Sequence, residues 1–394
     1  MSGAGRAGRL EIGMVAAEAS GDLLASAVLR GLRHSTDDLS TFGIGGPAMR
    51  AEGFDAWADI AELSVRGYVE VLAALPRLLA LRRSVARRLI AHQPELFVGI
   101  DAPDFNLGLE TRLRASGVRT IHFVSPSIWA WRPERIEGIR KAVDHMLLVF
   151  PFEQSIYDRA GIPATYVGHP LADMLEPVDD PEPARSVLQL PRDRPVIALL
   201  PGSRPDEVRY MGRVFLETAR WIHQQRSDCH FVLPAASAPL FERLRRQAAE
   251  LGLDGRLPLT IVSGQSHRAM AAADAVLVAS GTATLEAALI GRPMVIAYRM
   301  AEISYRLMRK RGLLPWIGLP NILCEQSLVP EFIQHQATPE AMGRALLSQL
   351  DDAVRHRSLR ERFAALHASL RCGCAERSAQ AILEHCAGAP RALR

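Results

Sequence analysis

Several short segments place polar side chains directly behind an apolar run, where a chain leaving a buried strand can meet a ligand. In LLPGSRPDEV (199–208), Gly202 and Ser203 make a turn and Arg204 follows. A helix begun there offers backbone N–H groups to an anion. The guanidinium adds a permanent charge and a planar donor fork suited to phosphate. In VASGTATLEAALIGRPMV (278–295), Ser280, Gly281 and Thr282 repeat the arrangement. Glu286 lies one helical turn beyond Thr282 on the same face, where a carboxylate can accept both hydroxyls of a ribose. Each loop alone also reads as a capped turn with a solvated charge. Two in one half of the chain point to a nucleotide diphosphate.

The first half carries a different set. In VGIDAPDFN (98–106), Asp101 ends an apolar run. Burial away from cations raises a carboxyl pKa toward a value useful in a general base. Asp104 and Asn106 stand ready to orient it or to bind sugar hydroxyls. A turn that only stops the strand explains the same residues equally well. In AAEASGDLLA (16–25), Glu18, Ser20 and Asp22 offer acceptors to hydroxyls, or caps to a helix. The G-x-G-x-x-G fingerprint of a dinucleotide site is absent there, which argues against a dehydrogenase.

Two further segments suit a surface. YVEVLAALPRLLALRRSVARRL (68–89) holds Val69, Leu72, Leu75, Leu78 and Leu79, more apolar residues than one modest core face needs. Arg77, Arg82, Arg83, Arg87 and Arg88 follow, as in an interfacial helix on anionic lipid. A core helix with a solvated basic face is the commoner use of such a pattern. SPSIWAWRPERI (125–136) sets two tryptophans beside arginines, to line a cleft, touch lipid or pack in a core. His122, His145 and His169 lack ligand spacing; His122 reads as structural and His169 as a linker or cleft residue.

The elements that must position these groups alternate along the chain. Apolar strands are expected at 10–17, 41–45, 96–101, 119–124 and 145–150, with helical patterns such as 22–32 and 76–91 between them. Continuous Val/Ile/Leu runs mark strands buried on both faces of a parallel sheet. The Pro- and acid-rich stretch 176–195 reads as a linker, after which strands recur at 196–203, 230–235, 259–264, 275–281 and 293–298. The expected fold class is therefore α/β: two Rossmann-like parallel-sheet domains, 1–175 and 190–354, facing across a cleft. Helices from 355 to 394 are free to pack back on the first.

With 394 residues, two cores are readily filled. A net charge of +4 does not call for a nucleic-acid partner. Five scattered cysteines form no even framework and no common zinc spacing, as free thiols in a reduced, cytoplasmic compartment would. MSGAGRAGR at the start reads as a basic tail rather than a targeting segment. No apolar run reaches the length of a membrane span.

Taken together, AEASGD (17–22), GIDAPDFN (99–106), SPSIWAW (125–131), VGHPLAD (167–173), LLPGSR (199–204), ASGTATLE (279–286), YRM (298–300) and LPNIL (319–323) resemble the lipid-A-disaccharide synthase family. They run in family order over roughly residues 9 to 385. Ala17 and Ala19 stand where the family more often has glycine and threonine. The resemblance implies a GT-B fold and an inverting glycosyltransferase with no cofactor and no required metal. The implied donor is UDP-2,3-diacylglucosamine and the implied acceptor is 2,3-diacylglucosamine 1-phosphate. It implies Asp101 as the base, and Arg204, Ser280, Gly281, Thr282, Glu286 and Asn321 on the UDP side. It also turns the 68–89 helix into a contact with the inner-membrane phospholipid surface, on its cytoplasmic face. Oligomeric state is not fixed, a homodimer being among the states allowed. Another UDP-sugar enzyme of the same fold, a 2-epimerase or a peptidoglycan glycosyltransferase, is the competing enzyme reading. A membrane-binding module without catalysis is the competing reading of another class.

Overall fold

A computed structural model describes residues 9–63, 68–302, 305–306 and 313–387. The basic tail read at the N-terminus falls almost wholly outside them, and the side chains of Val69 and Leu72 are outside the description as well. The chain divides into two units, residues 1–173 with 370–394 and residues 174–369.

The first unit is a seven-stranded parallel sheet. Its strands are β1 (Leu10–Val15), β2 (Leu39–Gly45), β3 (Asp55–Asp59), β4 (Leu96–Ile100), β5 (Arg119–Phe123), β6 (His145–Leu148) and β7 (Ala164–Tyr166), in the order β3-β2-β1-β4-β5-β6-β7. β4 is buried at every residue, because helices cover both faces of a parallel sheet. On one face Val85, Ala86 and Leu89 of helix Tyr68–His92 pack with Val15, Phe42, Phe97 and Leu109. The last helix, Cys374–Ala387, lies along helix Ala19–Ser35, so closely that a side chain on Gly31 would strike the Ala375 carbonyl.

The second unit is a six-stranded parallel sheet of β8 (Val196–Leu200), β9 (His230–Ala235), β10 (Leu259–Ser263), β11 (Ala275–Ala279), β12 (Met294–Tyr298) and β13 (Glu331–Ile333), in the order β10-β9-β8-β11-β12-β13. Its core joins Ile197 and Leu199 of β8 to Phe215 and Ile222 of helix Pro205–Gln225 and to Leu346 of helix Pro339–Asp351. The stretch 176–195 is not the open linker its composition suggested. It contains helix Glu182–Leu188, whose buried Arg185 donates to the Ala272 carbonyl (3.0 Å) and to Asp274 Oδ2 (2.7 Å). Asp274 Oδ2 also accepts from Val196 N at 2.7 Å, so the stretch is fastened to the start of β8. Helix Ala353–Leu370 falls almost entirely in this second unit.

In each sheet one pair of neighbours marks where the strand order reverses. In the first unit it is β1 beside β4, and in the second it is β8 beside β11. Connections leave the two strands of such a pair toward opposite faces, which opens a crevice beyond their carboxyl ends.

Candidate active site

The loops singled out in the sequence are the loops at these two reversals. Glu18 and Asp101 follow β1 and β4, while Gly202 and Ser280 follow β8 and β11.

In the first unit, Asp101 is half-buried and directly follows β4. Its backbone has φ +50°, and Ala102 after it has φ +44°. Two successive non-glycine residues in the left-handed region cost on the order of 1–3 kcal/mol each, and such strain collects at functional sites. Surrounding bonds hold it in place. Asp101 N donates to the Phe123 carbonyl at 2.9 Å. Asn106 Nδ2 donates to the carbonyls of Asp101 (2.9 Å), Ile100 and Val15 (both 3.2 Å), bridging the parted ends of β1 and β4. Asn106 is fully buried, so its amide serves the backbone and reaches no solvent-borne hydroxyl.

Asp22 is committed in the same way. Its carboxylate, 3% exposed, accepts from Gly46 N (2.8 Å), Ala48 N (2.8 Å) and Met49 N (3.1 Å), and so caps the short helix Pro47–Ala51. Glu18 and Ser20 are exposed at the start of helix Ala19–Ser35. Asp104 is exposed and paired with Arg135 Nη2 at 2.6 Å.

In the second unit, Gly202 has φ +120°, a conformation L side chains rarely adopt, and a Cβ there would run into Glu207. Glu207 was not anticipated. Its Oε2 accepts from Ser203 N (2.9 Å) and Arg204 N (3.1 Å), the backbone donors expected to meet phosphate. A carboxylate thus sits where an anionic oxygen would. Its signal was readable, because it stands at the third position of helix Pro205–Gln225, where an acidic residue bonds back to the cap. The Arg204 side chain is exposed, with Nη1 3.7 Å from Glu207 Oε1.

At the other edge of this crevice, Gly281 caps helix Thr282–Leu289, and the space in front of its Cα is open. Thr282 is exposed beside it. Glu286 Oε2 accepts from His267 Nε2 at 3.0 Å. That hydrogen bond, against the opposing effect of burial, holds the imidazole above the ordinary histidine pKa. No spacing signal could have linked His267 to Glu286, since the contact comes from the fold.

Ser280 Oγ donates to the Ile317 carbonyl (2.8 Å) and Leu319 N donates to Thr284 Oγ1 (3.2 Å). The two family segments ASGTATLE and LPNIL therefore meet. Asn321, fully buried, supports the second. Its Oδ1 accepts from Leu328 N and Val329 N, and its Nδ2 donates to the Val329 carbonyl and to Glu331 Oε1. Glu331 in turn accepts from Ile317 N (2.8 Å) and Gly318 N (2.9 Å).

Helix Tyr68–His92 divides between its two sequence readings. Its C-terminal half packs in the core, whereas Leu75 is 44% exposed, Leu78 and Leu79 are half-buried, and Arg83 is exposed. Arg82, expected at lipid, is half-buried and donates to the Asp104 carbonyl at 3.3 Å. Of the two tryptophans, Trp129 donates to buried Glu153 at 3.0 Å and packs edge-on to Phe150 and Phe152. Trp131 lies under the Arg132 guanidinium at 4.1 Å. His169 belongs to the core: its ring stacks on Phe150 and its Nδ1 accepts from Leu171 N. No helix among the described residues is long and apolar enough to cross a membrane.

Residues 12–383 match the protein family described as lipid-A-disaccharide synthetase. The chain is 54% identical over 370 residues to the lipid-A-disaccharide synthase of Thiobacillus denitrificans, covering 94% of this chain and 98% of that one. It is 51% identical over 374 residues to that of Aromatoleum aromaticum, covering 95% of each. Among solved structures it resembles HepE from Anabaena in complex with UDP and glucose (TM-score 0.58, 12% identity, 95% of this chain and 100% of that one). It also resembles an assigned UDP-N-acetylglucosamine 2-epimerase from Listeria monocytogenes (TM-score 0.61, 13% identity, 96% and 95%). At such identities these two likenesses speak for the fold alone, two Rossmann-like units of the GT-B type.

Proposed function

Because the chain belongs to the lipid-A-disaccharide synthetase family, we propose that it transfers 2,3-diacylglucosamine from UDP-2,3-diacylglucosamine to 2,3-diacylglucosamine 1-phosphate. The products are the β-1,6-linked disaccharide 1-phosphate and UDP. The observation that carries this reading is the placement of Asp101 at one strand-order reversal and of Arg204 and Ser280–Thr282 at the other.

In this account the second unit takes UDP. Its diphosphate meets the Gly281–Thr282 helix start, the Ser203 and Arg204 N–H groups and the Arg204 guanidinium, while Glu286, steadied by His267, accepts the ribose hydroxyls. Glu207 gives up the two N–H groups as the nucleotide enters. Asn321 acts through the 317–331 loop. The first unit takes the acceptor, with Glu18, Ser20 and Asp104 available to its hydroxyls and phosphate. Asp22 and Asn106 shape the loops that present them.

The acceptor's 6-oxygen attacks the anomeric carbon as its proton passes to Asp101. The bond from that carbon to the diphosphate breaks, and its electron pair leaves with UDP. Attack from the face opposite the leaving group turns an α-linked donor into a β-linked product. A helix terminus contributes about 0.3–1 kcal/mol toward the growing charge, or ~2 when partly buried. Arginine and a water-poor surrounding must supply more. Leu75, Leu78, Leu79 and Arg83, with Val69 and Leu72, are the residues assigned to the cytoplasmic surface of the inner membrane.

Mass spectrometry of a reaction with both acylated substrates tests the proposal. A disaccharide monophosphate formed together with UDP is expected. UDP released without any disaccharide, or transfer to an unrelated acceptor, refutes it.

A further inference from the structure

Beneath the β4 terminus lies a buried ionisable pair that the transfer reaction, as described, does not use. His122 sits on β5 and Glu110 on helix Pro103–Ala115, both with side chains 0% exposed, and Nδ1 lies 2.7 Å from Oε1. The sequence reading gave His122 a structural role. Its surroundings do not suit a merely structural one. His122 Nε2, Glu110 Oε2 and the nearby Asn106 Oδ1 are all buried without a hydrogen-bond partner. Unpaired buried polar atoms cost about 1–3 kcal/mol each, so their persistence calls for an explanation. Glycine at position 99 makes room for the pair, since a Cβ there would collide with Glu110 Oε1.

The pair also lies next to the base. His122 is in register with Gly99, two residues before Asp101, and Phe123 receives the Asp101 N–H. The charged groups that act on the ring are Glu110, from helix Pro103–Ala115, and, more weakly, Asp101, from the end of β4. The residues in register with it on β4 and β6, Gly99 and Met146, are uncharged. Burial alone would lower the imidazole pKa. The charge and hydrogen bond of Glu110, with a further contribution from Asp101, outweigh it and raise the value. Burial raises Glu110 as well, partly opposed by His122, so one proton stays on the pair.

We propose that Glu110 and His122 are positioning residues for Asp101: Glu110 locks a protonated imidazole under the β4 terminus, and its charge keeps the Asp101 carboxylate ionised and in place. The logic is that of a carboxylate–imidazole pair serving a third group. No proton leaves His122 in the cycle. The inference rests on Asp101 being the base.

The test compares Glu110→Gln, His122→Gln and the apolar double variant Glu110→Met/His122→Phe with the parent enzyme, at saturating acylated substrates over a range of pH. The double variant removes both charges together, which cores commonly tolerate better than one stranded charge. It keeps the test available if a single variant does not fold. In His122→Gln, removing a nearby opposite charge moves a carboxylate by ~1–3 pH units, so its acidic limb of kcat should move up by at least about one unit, with a smaller shift in the same direction in the double variant. We expect kcat to fall about 10- to 100-fold, within the range of general-base effects, with KM unchanged within about twofold. A folded double variant whose kcat and acidic limb match the parent overturns the inference. Asp101→Asn, run beside it, separates the two claims. If that variant is inactive while the limb of the double variant is unmoved, only the positioning role falls. If Asp101→Asn keeps parental turnover, the base assignment falls and the inference with it.

Discussion

Asn321→Ala separates a nucleotide contact from a buried support, two roles that the family segment LPNIL does not distinguish. The substitution removes four hydrogen bonds of 2.8–3.0 Å, to Leu328 N, Val329 N, the Val329 carbonyl and Glu331 Oε1. Each contributes about 1 kcal/mol net, and stranded groups in the interior add desolvation costs of ~1–3 kcal/mol apiece. Leu328 and Val329 are buried, so water reaches their backbone poorly. A total near ~4 kcal/mol follows, allowing for relaxation of the loop. For a unit of this size, each kcal/mol shifts Tm by ~2–4 °C, so calorimetry should show a fall of about 10 °C. UDP titration well below the new Tm should show weakened binding, since Ile317–Leu319 would no longer hold Ser280 and Thr284. The reasoning is refuted if Tm stays within about 2 °C of the parent while UDP affinity collapses. Asn321 would then be touching the nucleotide itself.

Gly202→Ala should cost about 1–3 kcal/mol, from a strained positive φ and a clash with Glu207, and should weaken UDP binding measured by calorimetry. An unchanged affinity would remove this turn from the nucleotide site. Burial raises the Glu153 carboxyl from 4.5 to about 7. A proton bound more tightly in the folded state stabilises fully at low pH, and that contribution is lost as pH rises through about 7, amounting to ~3 kcal/mol. Urea unfolding of Glu153→Gln beside the parent should show this decline between pH 5 and 8 in the parent only. His169 works in the opposite sense: burial lowers it from 6.5 to about 4. Its contribution is present above pH ~6.5 and lost as pH falls toward 4, so His169→Gln should flatten the acid side of the same curve. Parallel curves for variant and parent would contradict either assignment.

The strands at the centre of each sheet were legible because both faces are covered. β4, β8 and β11 are unbroken apolar runs, and their expected positions start where the observed strands start. Predicted ends ran past them into the loops that follow, to Asp101 and to Gly202–Ser203, because sequence pattern does not mark where pairing stops. The short edge strands β3, β7 and β13 were missed. They are three to five residues long and only half-buried, so they carry no apolar run to find. The stretch 176–195 misled because proline and acidic residues suggest a solvated linker, whereas Arg185 reaches a carboxylate 89 residues away.

The loops of the candidate site were legible because a parallel sheet puts them at strand ends. Which of their polar residues the fold commits to backbone groups was not. Asp22, Asn106 and Asn321 have the chemistry of sugar-binding side chains and are spent on backbone groups brought to them by tertiary folding. The partners His267 and Glu110 were invisible for the same reason, since neither contact is encoded by local spacing.

The most direct measurement is turnover and UDP affinity of Asp101→Asn, a substitution that keeps the shape and tolerates the left-handed backbone at this position. The account predicts a fall in kcat of about 10²–10⁴ with both acylated substrates saturating, and an unchanged Kd for UDP. Turnover within about twofold of the parent, far inside that range, would contradict it.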